Sequence, residues 1–230
     1  MVQYKIAVMQ PYFFPYGGYY RLMAATDMFV IYDCVQFARR GRVHRSRIPE
    51  TQSGRPPKWL TLPLAKAPRE TRICDLRFAQ DAKSRLAQTF KQFGLSSAAS
   101  TPLRQKVCNL LEKPEGTVVD VLHDSLRLMR DACEFDCDIR RSSSLEIAPD
   151  VKGEARVIKI VQSFGGRTYI NSPGGVDLYS AATFADAELR LRFLDPYAGA
   201  IQNMLQAVFT MKIEDIRNDI VTSIGCSSLR

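Results

Sequence analysis

Nowhere in this chain of 230 residues is there an apolar run approaching the roughly 18 to 20 residues that a membrane-crossing helix needs. GxSxG, P-loop and HExxH patterns are also missing, so serine-hydrolase, P-loop and zincin chemistry are excluded at the level of motif. Internal repeats and low-complexity tracts are absent, which removes solenoid and disordered readings. Histidine is scarce, with His44 and His123 as the two examples. The six cysteines are scattered, and a chain this long needs no bridges, so reduced thiols are expected. Cys133 and Cys137 form the single close pair; a zinc site needs about four ligands, and no metal is expected. The opening MVQYKIAVMQPYFFPY lacks the basic segment and small-residue cleavage site of a signal peptide, so a cytoplasmic location with no membrane span is the expectation.

What is present is an ordinary globular composition carrying an excess of positive charge. Hydrophobic residues at 46% and charged residues at 24% suit a single folded domain over 1–230 with a core of its own. Lys and Arg number 32 against 24 Asp and Glu, a net charge of +8, which favours phosphate-bearing ligands, nucleic acid or an anionic surface.

Hydrophobic periodicity orders the chain. KIAVMQ at 5–10 reads as a strand, PYFFPYGG as a turn and YYRLMAATD as a helix. MFVIYDCVQF at 28–37 starts as an unbroken apolar run and predicts a buried parallel strand. Residues 39–57 read as a long basic loop, or a strand followed by one, and KWLTLPL (58–64) and RICDLRF (72–78) as further strands. Helical patterns over about 80–135 predict an inserted helical lobe. A helix in GEARVIKIVQSFGG, a strand in TYINSPGG, a strand in LRLRFL and two closing helices at 199–209 and 212–223 complete the reading. The order indicates an α/β fold with a mixed or parallel sheet, whose ligands bind at the carboxyl edge of the strands.

Three segments carry chemistry. Around QPYFFPYGGYY, Gln10, Tyr16 and Gly18 are candidate ligand contacts, since glycine at a helix start lets a ligand approach free backbone N–H groups. RRGRVHRSR packs five arginines around His44; Arg40 and Arg45 are candidate phosphate contacts, because guanidinium matches phosphate with paired donors. Asp33, just upstream, and His44 are the candidate catalytic pair, joined in a proton relay. TYINSPGGVDLYS delivers Asn171 into a Pro-Gly-Gly turn where Gly174, Gly175 and Tyr179 complete a substrate-binding set.

GGYYRLMAATDMFVIY follows the outline of nucleotidyltransferase-like Rossmann folds, with Tyr16 and Tyr19 where those proteins carry the two histidines of HxGH. KIAVMQPYFFPYGGYYRL, FVIYDCVQFARRG, HRSRI, WLTLPL, RVIKIVQSFGGRTYINSPGG and LYSAATF, in that order, resemble the WbqC-like family along nearly the whole chain. The resemblance implies an association with bacterial O-antigen and related glycan clusters and a suggested glycine or acyl transferase role. Cys34 stands where the family commonly reads aspartate, and Asn203 and Gln206 lie where it tends to carry serine and aspartate. The resulting expectation is an acyl or aminoacyl transferase acting on an amine of a sugar nucleotide or related metabolite. Its partners would be a phosphate-bearing small molecule and an activated donor: a carrier-protein thioester on acyl carrier protein, an aminoacyl-tRNA, or an adenylate made from ATP. A tRNA- or RNA-binding module and an ATP-dependent ligase are the alternatives.

Overall fold

The computed structural model describes residues 4–48, 58–92, 101–112, 114–222, 224 and 226–227. The apolar runs become the interior of one sheet. β1 (Tyr4–Met9) and β2 (Met28–Ile31) bury Ile6, Ala7, Val8, Phe29, Val30 and Ile31, apolar on both faces as a parallel strand covered by two layers requires. β5 (Asp138–Arg141), β6 (Gly166–Asn171) and β7 (Arg190–Leu194) join them in parallel, and β8 (Cys226–Ser227) closes one edge antiparallel to β7. The strand order is β5-β2-β1-β6-β7-β8. This is a Rossmann-like α/β arrangement: the chain winds outward from β1 through β2 to β5, then returns beside β1 to add β6 and β7.

Two helical layers cover the sheet. On one face α1 (Gly17–Ala25), α4 (Val118–Ala132), α7 (Met204–Thr210) and α8 (Ile213–Val221) share a core with Ala7, Phe29, Ile31, Ile170 and Leu194. On the other, α5 (Gly153–Ser163) and α6 (Ala181–Asp186) pack on Ile6, Val8, Val30, Tyr169, Leu191 and Phe193. The 3.6-residue spacing in VVDVLHDSLRLM puts Val118, Val119, Leu122, Leu126 and Met129 inward along α4. A capping box starts that helix: the Asp120 N–H donates to Thr117 Oγ1 at 3.2 Å and the Thr117 N–H to Asp120 Oδ2 at 2.6 Å. α2 (Ala82–Gln92) and α3 (Pro102–Glu112) precede α4, and their Leu86, Phe90, Val107 and Leu111 belong to the first core.

Two strand expectations change, and a third is resolved between its alternatives. The strand read over 28–37 ends at Ile31, because Asp33 onward leaves the sheet and hydrogen-bonds to 71–74, with Cys74 N–H donating to the Asp33 carbonyl at 2.9 Å and Phe37 N–H to the Thr71 carbonyl at 2.8 Å. RICDLRF is correspondingly a 3-10 turn, Ile73–Asp75, flanked by single bridges from Arg72 to Gln36 and from Phe78 to Leu64. The basic loop contains β3 (Arg45–Ile48), antiparallel to β4 (Lys58–Thr61), as a separate hairpin. Residues 49–57 of the loop and the helix stop expected at Gly94 lie outside the described residues.

Candidate functional site

β1 and β6 are parallel neighbours whose following segments part, β1 leading to α1 on one face and β6 to α6 on the other, which makes their carboxyl ends a topological switch point of the kind where open α/β sheets bind ligands. Gln10 and Asn171 flank it, so the topology brings these two sequence candidates to one edge of the sheet. The Gln10 side chain is partly buried and makes no hydrogen bond among the described residues, while its carbonyl accepts from Tyr19 Oη at 2.7 Å. Asn171 is buried; its Oδ1 accepts from the Ser172 N–H at 2.7 Å, which turns the chain into the 3-10 segment Pro173–Leu178. A Cβ on Gly175 would collide with Asn171 Nδ2, so that glycine makes room for the amide; Gly174 is exposed with open space around it. Tyr179 Oη accepts from Tyr169 Oη at 3.2 Å, and burial raises both phenols above their ordinary range, so each stays a neutral hydrogen-bonding group.

Gly18 has a packing reason. A Cβ there would run into the Tyr16 ring and lie 2.8 Å from Tyr197 Cβ, and the Tyr16 and Tyr197 rings meet edge to face at 5.7 Å. Tyr16 and Gly18 therefore hold α1 against the segment after β7, where Tyr197 Oη donates to Asp219 and accepts from the Ile201 N–H at 3.1 Å.

The expected relay between Asp33 and His44 is not formed. Asp33 is fully buried, and its carboxylate accepts from Ser142 Oγ at 3.0 Å, the Ser143 N–H at 2.8 Å and Ser143 Oγ at 2.7 Å. Those donors come from the turn after β5, so Asp33 pins the end of β2 to its neighbour. His44 instead sits on the basic loop, edge to face on Phe37 at 5.1 Å, with Nδ1 buried and without a partner among the described residues. Burial, then the Arg45 guanidinium, depress its pKa below the usual histidine range, so the ring is neutral at pH 7. The loop lies along the turn after β1: the Phe13 N–H donates to the Arg42 carbonyl at 3.0 Å and Ser46 Oγ to the Phe14 carbonyl at 3.1 Å. Asn203 Nδ2 donates to Ser46 Oγ at 2.6 Å while Oδ1 caps α7, a structural use of that residue.

The two candidate arginines divide. Arg45 Nε donates to the Gly41 carbonyl at 3.1 Å, a second nitrogen to the Arg40 carbonyl, and its guanidinium lies 4.4 Å from the Trp59 ring centroid, so Arg45 shapes the loop. Arg40 is exposed, and its side chain makes no ion pair or hydrogen bond among the described residues.

Sequence reasoning missed two groups near this edge of the sheet. The Tyr32 N–H donates to the Met9 carbonyl at 2.8 Å, and burial pushes its phenol up to about 12. Arg156 of α5 is buried, donates to the Ala148 and Val151 carbonyls at 2.6 Å each, and reaches Cys34 Sγ at 3.4 Å. The alternation of sides along an extended chain explains why Cys34 meets this helix while Asp33 points to the Ser142 turn. The serine triplet 142–144 directly after RR was the available signal for the Asp33 partners. Burial holds the Cys133 thiol at about 12 and Cys137 at about 11, so both are protonated core side chains, and no three His, Cys, Asp or Glu gather among the described residues as a metal site would require. No helix among them is long and apolar enough to cross a membrane.

A family model described as the WbqC-like protein family matches residues 10–210, a span that starts directly after β1 and includes the basic loop, the Pro-Gly-Gly turn and α7. The uncharacterized protein Rv1507c of Mycobacterium tuberculosis is 25% identical over 201 residues, covering 83% of this chain and 82% of that protein. No solved structure matches the chain.

Proposed function

The chain belongs to the WbqC-like protein family, and from that premise we propose that it is a transferase moving an acyl or aminoacyl group, glycine among the candidates, onto an amine of a sugar nucleotide or related metabolite in glycan biosynthesis. The observation that carries this reading is a neutral imidazole whose Nδ1 has no partner among the described residues, on a loop whose arginines have no carboxylate partner among those residues and which is laid over the turn that leaves β1. In the transfer, the acceptor amine forms a C–N bond to the activated carbonyl. The bond to the donor's thiolate, ribose oxygen or adenylate phosphate breaks, and the surplus ammonium proton passes to a base. With the Asp33 carboxylate saturated by Ser142 and Ser143, His44 takes that role. The carboxamides of Gln10 and Asn171 and the Tyr179 hydroxyl orient the reacting group, and the Arg39–Arg47 loop holds phosphates of donor or acceptor.

The test is an amide-forming assay with an amino-sugar nucleotide and each of three donors: an acyl carrier protein thioester, an aminoacyl-tRNA, and an amino acid with ATP. The expected result is an acceptor heavier by one acyl group with one donor, and loss of that product in a folded His44→Gln protein. No product with any donor, or full activity in His44→Gln, overturns the reading. One feature favours RNA as a bound species: Arg45, Arg47 and exposed Trp59 share the outward side of the β3–β4 hairpin, where Arg47 stands opposite Trp59 in register.

A further inference from the structure

The segment that leaves β2 after Asp33 runs beside 66–72, and the two build a recess of about 470 Å³ lined by Gln36, Ala38, Arg39, Arg40 and Arg69. That size falls within the roughly 300–1,000 Å³ of small-molecule sites. Backbone and side-chain bonds hold its walls. The Phe37 N–H donates to the Thr71 carbonyl at 2.8 Å, Gln36 Nε2 donates to the Arg69 carbonyl at 2.8 Å, and Arg39 donates to the Ala67 carbonyl.

Its charge is uncompensated among the described residues. Neighbouring Arg72 has a carboxylate, Asp75, at 2.7 Å, which also pulls that carboxyl below its usual range. Arg39, Arg40 and Arg69 have none among the described residues, and Glu70, adjacent to Arg69 in the chain, forms no ion pair with it. Three guanidiniums around one concavity repel one another, and a compact polyanion relieves that repulsion while taking paired N–H donors from each. Gln36 stands three residues after Asp33, so its Cα lies within about 11 Å of the Asp33 Cα at the carboxyl edge of the sheet.

We propose that this recess is a diphosphate-binding subsite in which Arg39, Arg40 and Arg69 grip the phosphates of a nucleoside-diphosphate-bearing substrate. The proposal deepens the transferase reading and rests on it for the claim that the phosphates belong to that substrate. It assigns Arg69, from outside the basic loop, to phosphate binding and removes Arg45, whose donors are spent on the loop.

Calorimetric titration of the full chain with inorganic pyrophosphate tests the subsite apart from any transfer assay. Arg69→Gln and Arg40→Gln are each expected to weaken binding about tenfold with an unchanged melting temperature. Lys159→Gln, which removes the same charge from the exposed side of α5, is expected to leave binding unchanged. Absence of pyrophosphate binding, or equal weakening by Lys159→Gln, overturns the subsite. Should Arg69→Gln disturb folding, Arg40→Gln alone decides, since the Arg40 side chain is exposed and makes no ion pair or hydrogen bond among the described residues. Arg69-dependent binding in a chain that forms no amide keeps the recess and removes the transferase; amide formation without pyrophosphate binding does the reverse.

Discussion

At the scale of the residue, position in the chain and role in the molecule separate most sharply at Asp33 and His44. Both are the residue types that proton transfer uses, yet the three donors on Asp33 make it a clamp between β2 and the turn after β5. Asp33→Ala takes the acceptor away from the Ser142 O–H, the Ser143 N–H and the Ser143 O–H and is expected to destabilise the fold by on the order of 2–3 kcal/mol, read by urea denaturation. Asp33→Asn, which keeps two polar atoms in place, should recover part of that loss; equal stability of wild type and Asp33→Ala would remove the clamp. The depressed pKa of His44 has a second consequence. Below the unfolded value of about 6.5 the unfolded chain takes up a proton that the folded ring refuses, so stability falls as pH drops through that value toward the lower folded pKa. His123 is depressed as well, by burial and by Arg141, so His44→Gln is expected to flatten the acid limb of a melting-temperature profile in part, and the double variant with His123→Gln to flatten it further. An unchanged profile in the double variant would place the acid sensitivity in other groups.

At the scale of the element, the basic loop is an assembled object and not a solvated tether. Arg45 stitches it through the Gly41 and Arg40 carbonyls and covers Trp59, whereas Arg40 projects outward. Arg45→Ala is expected to cost on the order of 1 kcal/mol, a figure kept small because the side chain is half-exposed, and to lower the melting temperature by about 2–4 °C. Arg40→Ala should leave that temperature within error, and matching values for the two variants would show that Arg45 does not shape the loop. Sequence pattern could not separate these arginines, since both are polar, basic and five residues apart. The difference lies in which carbonyl oxygens the folded loop turns toward each guanidinium. The same limit applies to RICDLRF, whose alternation suits a strand but whose contact with 33–37 offers one isolated bridge and no ladder.

At the scale of the molecule, the excess of positive charge and the hairpin face bearing Arg45, Arg47 and Trp59 give a measurable choice between two kinds of partner. If tRNA is the donor or RNA the ligand, binding followed by fluorescence anisotropy should weaken steeply between 50 and 200 mM salt, with a log–log slope whose magnitude is roughly 0.7 to 0.9 per phosphate contacted. A chain that serves a small phosphate-bearing metabolite should show no RNA affinity at the higher salt. The α/β class, β1, most of the helices, β6 and β7, and the gathering of Gln10 and Asn171 at one edge are legible in the chain alone, because burial on both faces of a parallel strand writes a continuous apolar run and strand direction then dictates which loops share an end. Folding in three dimensions adds that Asp33 is consumed by serines 109 and 110 residues away, that Gly18 serves Tyr16 and Tyr197, and that Arg69 stands beside Arg40. Those facts depend on contacts between distant segments, and a hydrogen-bond partner or an unpaired charge leaves no periodicity in the chain that carries it.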